Sequence, residues 1–138
     1  MRNLFSRRNF GFLILAMWLA SLVLPVFTAC GPGYDNTPGY MILLIGWMGL
    51  LIIQPAWFAN LLIVAVIIVL LLRNRVPLWL GIATPLVAAP ALFFTDMYDD
   101  RGAIPICHYQ TGYWLWLATA GMALLATLLT RGDEPASE

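Results

Sequence analysis

From Tyr40 to Leu72 the chain runs for 33 residues without a charged side chain, and only Gln54, Pro55 and Asn60 interrupt its apolar character. At about 1.5 Å per residue a single helix of this length would reach about 50 Å, far more than a hydrocarbon core of roughly 30 Å. A break has to fall inside the block. Gln54–Pro55 is the place for it, because proline removes a backbone donor and disfavours helix in the residue before it. Three further charge-free stretches surround the block, at residues 10–29, 77–95 and 113–130. The chain is 62% hydrophobic and 10% charged, with a mean hydropathy of +0.84. Soluble domains lie near 45–50% apolar and about 25% charged, so the composition excludes a soluble enzyme of this size and an extended disordered chain alike. A length of 138 residues admits one domain, and a net charge of zero leaves no basic patch for nucleic acid.

These stretches lead to the expectation of an all-α, polytopic membrane protein. Residues 1–131 form a single transmembrane helical domain, with spans at about 10–29, 56–72, 77–95 and 113–130. Residues 40–54 add one short re-entrant or interfacial helix on the outer face, and 132–138 form a disordered cytoplasmic tail. The count of four rests on the positive-inside rule. Four crossings put Arg2, Arg7, Arg8, Arg73, Arg75 and Arg131 on the cytoplasmic side and only Arg101 outside. A fifth crossing by 40–54 splits the arginines four against three, close to no bias. A short tilted fifth span is the alternative. The glycines Gly39, Gly46 and Gly49, with Trp47 and Trp57, suit a short piece packed on its neighbours with indoles at headgroup level. On this reading the lipid bilayer is the first partner, and the chain is a multi-pass protein of a bacterial inner membrane with both termini cytoplasmic.

Cys30 and Cys107 both fall just outside the membrane in the four-span arrangement, where an oxidising compartment lets them pair. Without a Cys-x-x-Cys motif, thiol–disulfide exchange chemistry is not indicated. Cys107 and His108 are adjacent, but the spaced ligand pairs of a zinc site are missing, and no metal or cofactor is expected. The stretch 96–112 is the most polar ordered-looking region. Its Asp96, Asp99, Asp100, Arg101 and His108 make it the candidate partner-binding loop. The N-terminus has two readings. Ser6-Arg7-Arg8-Asn9-Phe10 resembles a twin-arginine export signal and Val26-Phe27-Thr28-Ala29-Cys30 a lipobox, which together would make Cys30 a lipidated first residue. The favoured reading is an uncleaved anchor, since Phe27 stands where the lipobox usually has Leu.

No Asp, Glu, Lys, Arg or His lies within a proposed span, which argues against a proton-coupled transporter or an intramembrane hydrolase. No catalytic constellation is visible, so an enzyme is not expected. Gln54, Asn60 and Thr84 are too few to line a polar path. Packing material is plentiful instead. Thr119, Ala123 and Thr127 make one small-residue stripe and Gly81, Pro85 and Ala89 another, through which helices could meet within the chain, another membrane protein or a second copy. Pro85 and Pro90 are expected to kink their span. Tyr109, Tyr113, Trp114 and Trp116 read as an aromatic anchor belt at the outer end of the last span.

The run Gly46-Trp47 … Ala56-Trp57-Phe58-Ala59-Asn60, with Gly112-Tyr113-Trp114-Leu115-Trp116-Leu117, resembles small multi-pass bacterial inner-membrane proteins of unassigned function. The resemblance implies a bacterial inner membrane and supplies no activity or functional residue. The functional expectation is a non-enzymatic accessory or scaffold protein acting through helix packing and its outer loops. The alternatives are an immunity-type protein against a toxin and a transporter or pore subunit.

Overall fold

The computed structural model describes residues 6–33, 36–72, 74–99 and 101–131, with the side chains of Leu50, Ile52 and Asp99 left aside. Arg2, Arg73, Asp100 and the tail 132–138 lie outside the described residues. The elements in chain order are α1 (Arg7–Val23), β1 (Pro25–Ala29), β2 (Thr37–Pro38) and α2 (Gly39–Ile45), which runs on into a 3₁₀ segment, Gly46–Ile52. A second 3₁₀ turn, Pro55–Phe58, opens α3 (Ala59–Leu71). Then come α4 (Leu78–Ala88), its 3₁₀ extension Ala89–Phe93, β3 (Asp96–Asp99), β4 (Gly102–Tyr109) and α5 (Thr111–Leu129).

The four long helices pack up-down-up-down. The guanidinium Nη2 of Arg7, at the start of α1, donates to the carbonyl of Thr130 just past the end of α5 at 3.3 Å. That places a cation against the negative end of the α5 dipole. Gly11 in α1 faces Leu70 and Leu71 at the end of α3, and Gly81 near the start of α4 faces Thr127 near the end of α5. Ile14, Ile63, Val66, Leu70, Ala120, Ala123 and Ala126 are fully buried between the helices. The alanines on α5 let α1 and α4 approach closely, as small residues do at helix contacts.

Buried hydroxyls satisfy themselves locally. Thr84, Thr119, Thr127 and Thr130 each donate Oγ1 to the carbonyl four residues back, at 2.7–2.8 Å. A threonine can therefore sit in an apolar seam without an orphaned donor. The expected stripe Thr119, Ala123 and Thr127 is consumed inside the chain. On α4 the buried face is Leu80, Gly81, Thr84 and Ala88, whereas Pro85 and Ala89 are only half-buried. A Cβ on Gly81 would lie 2.5 Å from Thr127 Oγ1, while one on Gly121, also helical, would meet nothing within 4 Å. The same substitution is therefore expected to have opposite signs. Gly81→Ala should destabilise by about 1–3 kcal/mol through overpacking. Gly121→Ala should stabilise by up to about 1 kcal/mol through helix propensity alone. Thermal or denaturant unfolding of the two variants side by side measures both.

The fold is not all-α: β1, β2, β3 and β4 form a four-stranded antiparallel sheet in the order β2-β1-β4-β3. The stretch 10–29 does not stay helical. At Pro25 the chain leaves the helix, and Val26, Phe27 and Thr28 are β-branched or aromatic, types that suit a pleated strand. The supposed loop 96–112 is mostly a hairpin, in which Asp96 pairs with Pro105 and Asp99 with Gly102.

Nor is this a four-span arrangement. Among the described residues only Thr111–Leu129 is both long and apolar enough to cross a membrane. Gly39–Gly49, Pro55–Leu71 and Leu78–Phe93 are apolar but shorter, and α1 has 17 residues. Proline is the recurrent cause, ending α1 before Pro25 and turning the ends around Pro55 and Pro90 into tighter 3₁₀ helix. The assignment to a multi-pass inner-membrane protein with both termini cytoplasmic rested on that count and falls with it.

The disulfide expectation is met. Cys30 and Cys107 are paired, with Cα atoms 5.2 Å apart. The reason is local: β1 and β4 are neighbouring strands, and Cys30 N–H donates to the Pro105 carbonyl at 2.8 Å. The bridge therefore follows from the sheet and does not depend on the number of crossings.

Candidate functional site

The sheet end of the bundle is where polar atoms and open space meet. Asn60, the one polar residue in the first turn of α3, is buried. Its Oδ1 accepts from two indoles, Trp18 Nε1 at 3.0 Å and Trp116 Nε1 at 2.9 Å. Its Nδ2 donates to the Trp57 carbonyl at 2.9 Å. One amide thus ties together α1, α5 and the turn before α3. A buried indole N–H needs an acceptor, and a carbonyl-type oxygen with two lone pairs can serve two.

A second cluster caps the end of α4 and its 3₁₀ extension, where the last carbonyls run short of backbone donors. Gln54 Nε2 donates to the Pro90 carbonyl at 3.3 Å, and Tyr113 OH to the Ala91 carbonyl at 2.8 Å. The Tyr109 hydroxyl donates to the Phe94 carbonyl. Three side chains, Gln54 from one part of the chain and Tyr109 and Tyr113 from the β4–α5 junction, thus close one helix end. Burial, and secondarily the Asp96 carboxylate, push the Tyr109 phenol above its ordinary value of 10.0. It therefore stays protonated and able to donate.

Over this end lies a cover made of α2 and the 3₁₀ segment Gly46–Ile52. Trp57 Nε1 donates to the Leu43 carbonyl at 2.8 Å, and Gly46 sits so close to the Trp57 ring that a Cβ would come within 2.5 Å of it. Gly39 N–H donates to the Leu24 carbonyl at 3.1 Å. At the far end Ile53 holds a positive φ of 57°, a costly conformation for a β-branched residue. Between cover, sheet and bundle lies a half-open cleft of about 940 Å³. Met41, Ile42 and Met48 face it from the cover, Met97 and Tyr109 from the hairpin, and Trp57 and Asn60 from the floor.

Asp96 and Asp99 lie in β3, Arg101 in the connecting turn, and His108 in β4 opposite Thr28. Arg101, Cys107 and His108 are exposed, and Asp96 Oδ2 accepts from Thr95 Oγ1 at 2.8 Å. Among the described residues no three of His, Cys, Asp and Glu come together. Gln54, Asn60 and Thr84, weighed as a polar path, all spend their polar atoms on internal hydrogen bonds. Of the supposed aromatic belt, only Trp114 is strongly exposed; Tyr113 is buried, and Tyr109 and Trp116 are half-buried. The cleft itself was not anticipated. Asn60 was the available signal, because a lone amide in an apolar run must find partners. In comparisons with known proteins, the chain matches no family model, no curated protein and no solved structure.

Proposed function

We propose that the chain is a non-enzymatic accessory or scaffold protein that associates with a lipid bilayer through its uncovered apolar surface, offering the disulfide-tied sheet as a contact face. The observation that carries this reading is the exposure of large apolar side chains. Ile53 is 91% exposed, Phe93 83% and Leu51 80%, with Leu44, Trp79, Leu86 and Val23 close behind. Full burial of such a side chain is worth about 1.5–3 kcal/mol relative to water, so a surface of this kind calls for an apolar neighbour. Among the described residues, α5 is the helix with the length to cross a bilayer. The sheet suits presentation to a partner. Its outer edges are the two-residue β2 and the acid-bearing β3, which discourage edge-to-edge self-pairing.

Vesicles of phosphatidylcholine brominated on the acyl chains provide the test. Trp47, Trp79 and Trp114 are exposed, so the protein should float with the vesicles and lose a large fraction of its indole fluorescence relative to unbrominated vesicles. A chain that stays monodisperse in detergent-free buffer and shows no quenching would overturn the proposal.

A further inference from the structure

We infer that the cleft under the α2 cover is a binding site for the hydrocarbon tail of an uncharged lipid. Among the described residues that line it there is no Asp, Glu, Lys, Arg or His. A charged group drawn against these described walls would meet no counter-ion among them and would bear a desolvation cost. The polar atoms of the floor are already spoken for: Asn60 on two indoles and a carbonyl, Gln54 on the Pro90 carbonyl and the Ala56 amide. Among the described residues no buried side-chain nitrogen or oxygen lacks a partner. The walls thus offer a ligand apolar contact and ask for no hydrogen bond.

Size and access point the same way. A cleft of about 940 Å³ falls at the upper end of small-molecule sites, which run to about 1,000 Å³. An 18-carbon chain needs roughly 540 Å³ if each methylene takes about the 30 Å³ of a water molecule. Met41, Met48 and Met97 line the space, and their unbranched thioethers adapt to a flexible chain better than branched side chains do. Met41, Met48 and Leu51 are also exposed, so the mouth of the cleft is continuous with the outer apolar surface. A tail can pass from surrounding lipid into the cleft without crossing water. Asn36 and Thr37 at the rim supply uncharged groups to an ester or hydroxyl head. The inference uses the proposed bilayer association only as the source of the ligand.

The experiment is photolabelling of the full chain with a monoacylglycerol carrying a diazirine near its chain end, followed by peptide mapping of the adducts. Labelling should concentrate on Met41, Ile42 and Met97, above the more exposed Leu86 and Phe93. Filling the cleft with Ile42→Trp and Met97→Trp should cut the cleft adducts at least tenfold and leave those on Leu86 and Phe93 unchanged, while Met97→Leu should keep the wild-type pattern. Adducts that follow exposure alone in the wild-type protein would overturn the inference, and that outcome needs no variant to fold. Labelling in detergent micelles runs beside labelling in vesicles. A protein that ignores vesicles yet labels in the cleft defeats the bilayer reading and keeps this one; one that floats but labels evenly does the reverse.

Discussion

Replacing Cys30 and Cys107 together by serine is expected to lower the unfolding free energy by about 2–5 kcal/mol. The two residues are 77 apart in sequence. In the chain-entropy description, closing a loop of that length removes about 4.5 kcal/mol of conformational freedom from the unfolded chain. Both cysteines are exposed, so a reductant reaches the bridge without prior unfolding. Dithiothreitol should therefore bring the wild-type midpoint down to that of the double serine variant, and should not move the variant. A guanidinium midpoint unchanged by either treatment would mean that β1 and β4 hold together without the bridge. The helical core should outlast the sheet in the reduced protein, because its buried contacts lie among α1, α3, α4 and α5.

Asn60→Leu should cost about 2–6 kcal/mol, because it strands two indole donors at once, each worth about 1–3 kcal/mol when left without a partner away from water. Leucine keeps the side chain bulky, so the loss reports on hydrogen bonding more than on a cavity. The asymmetry of buried hydrogen bonds supplies the control. Removing the donors together with the acceptor, as Trp18→Phe and Trp116→Phe in the Asn60→Leu background, should recover part of the loss. Denaturant unfolding of the single and triple variants under one set of conditions decides the matter. If the triple variant is weaker than the single one by the full additive sum, packing of the indoles, and not their hydrogen bonds to Asn60, holds this end of the bundle.

The apolar blocks themselves could be read from the residues. The last stretch, 113–130, corresponds closely to α5, Thr111–Leu129, because nothing in it interrupts an apolar helix. The interruption near Gln54–Pro55 was equally legible: Ile53 takes a turn conformation and a new 3₁₀ turn starts at Pro55. The Cys30–Cys107 pairing was reached by an argument about membrane sides that the fold does not support, although the pair itself is present. The strands were not legible. Pro25–Ala29 looks like the end of an apolar span, and residues 102–109 carry too weak an alternation to stand out beside Cys107, His108 and Pro105. Strand pairing depends on a partner 77–82 residues away, and no local pattern encodes that distance.

The amino acids alone settled where helices run apolar, where proline stops them, and that the charged side chains stay out of the long apolar runs. Those are properties of neighbours in the chain, governed by backbone sterics and by the cost of dehydrating charge. The packed fold decided what each polar residue in those runs is for. Asn60 became the acceptor for Trp18 and Trp116, 42 and 56 residues away, and Tyr109 and Tyr113 became caps for the end of α4 instead of interfacial anchors. It also decided the number of helices long enough to cross a bilayer and the existence of a cleft under α2. A hydrogen-bond partner or a void is defined by surfaces brought together from distant parts of the chain, and hydropathy along the chain carries no record of which surfaces meet.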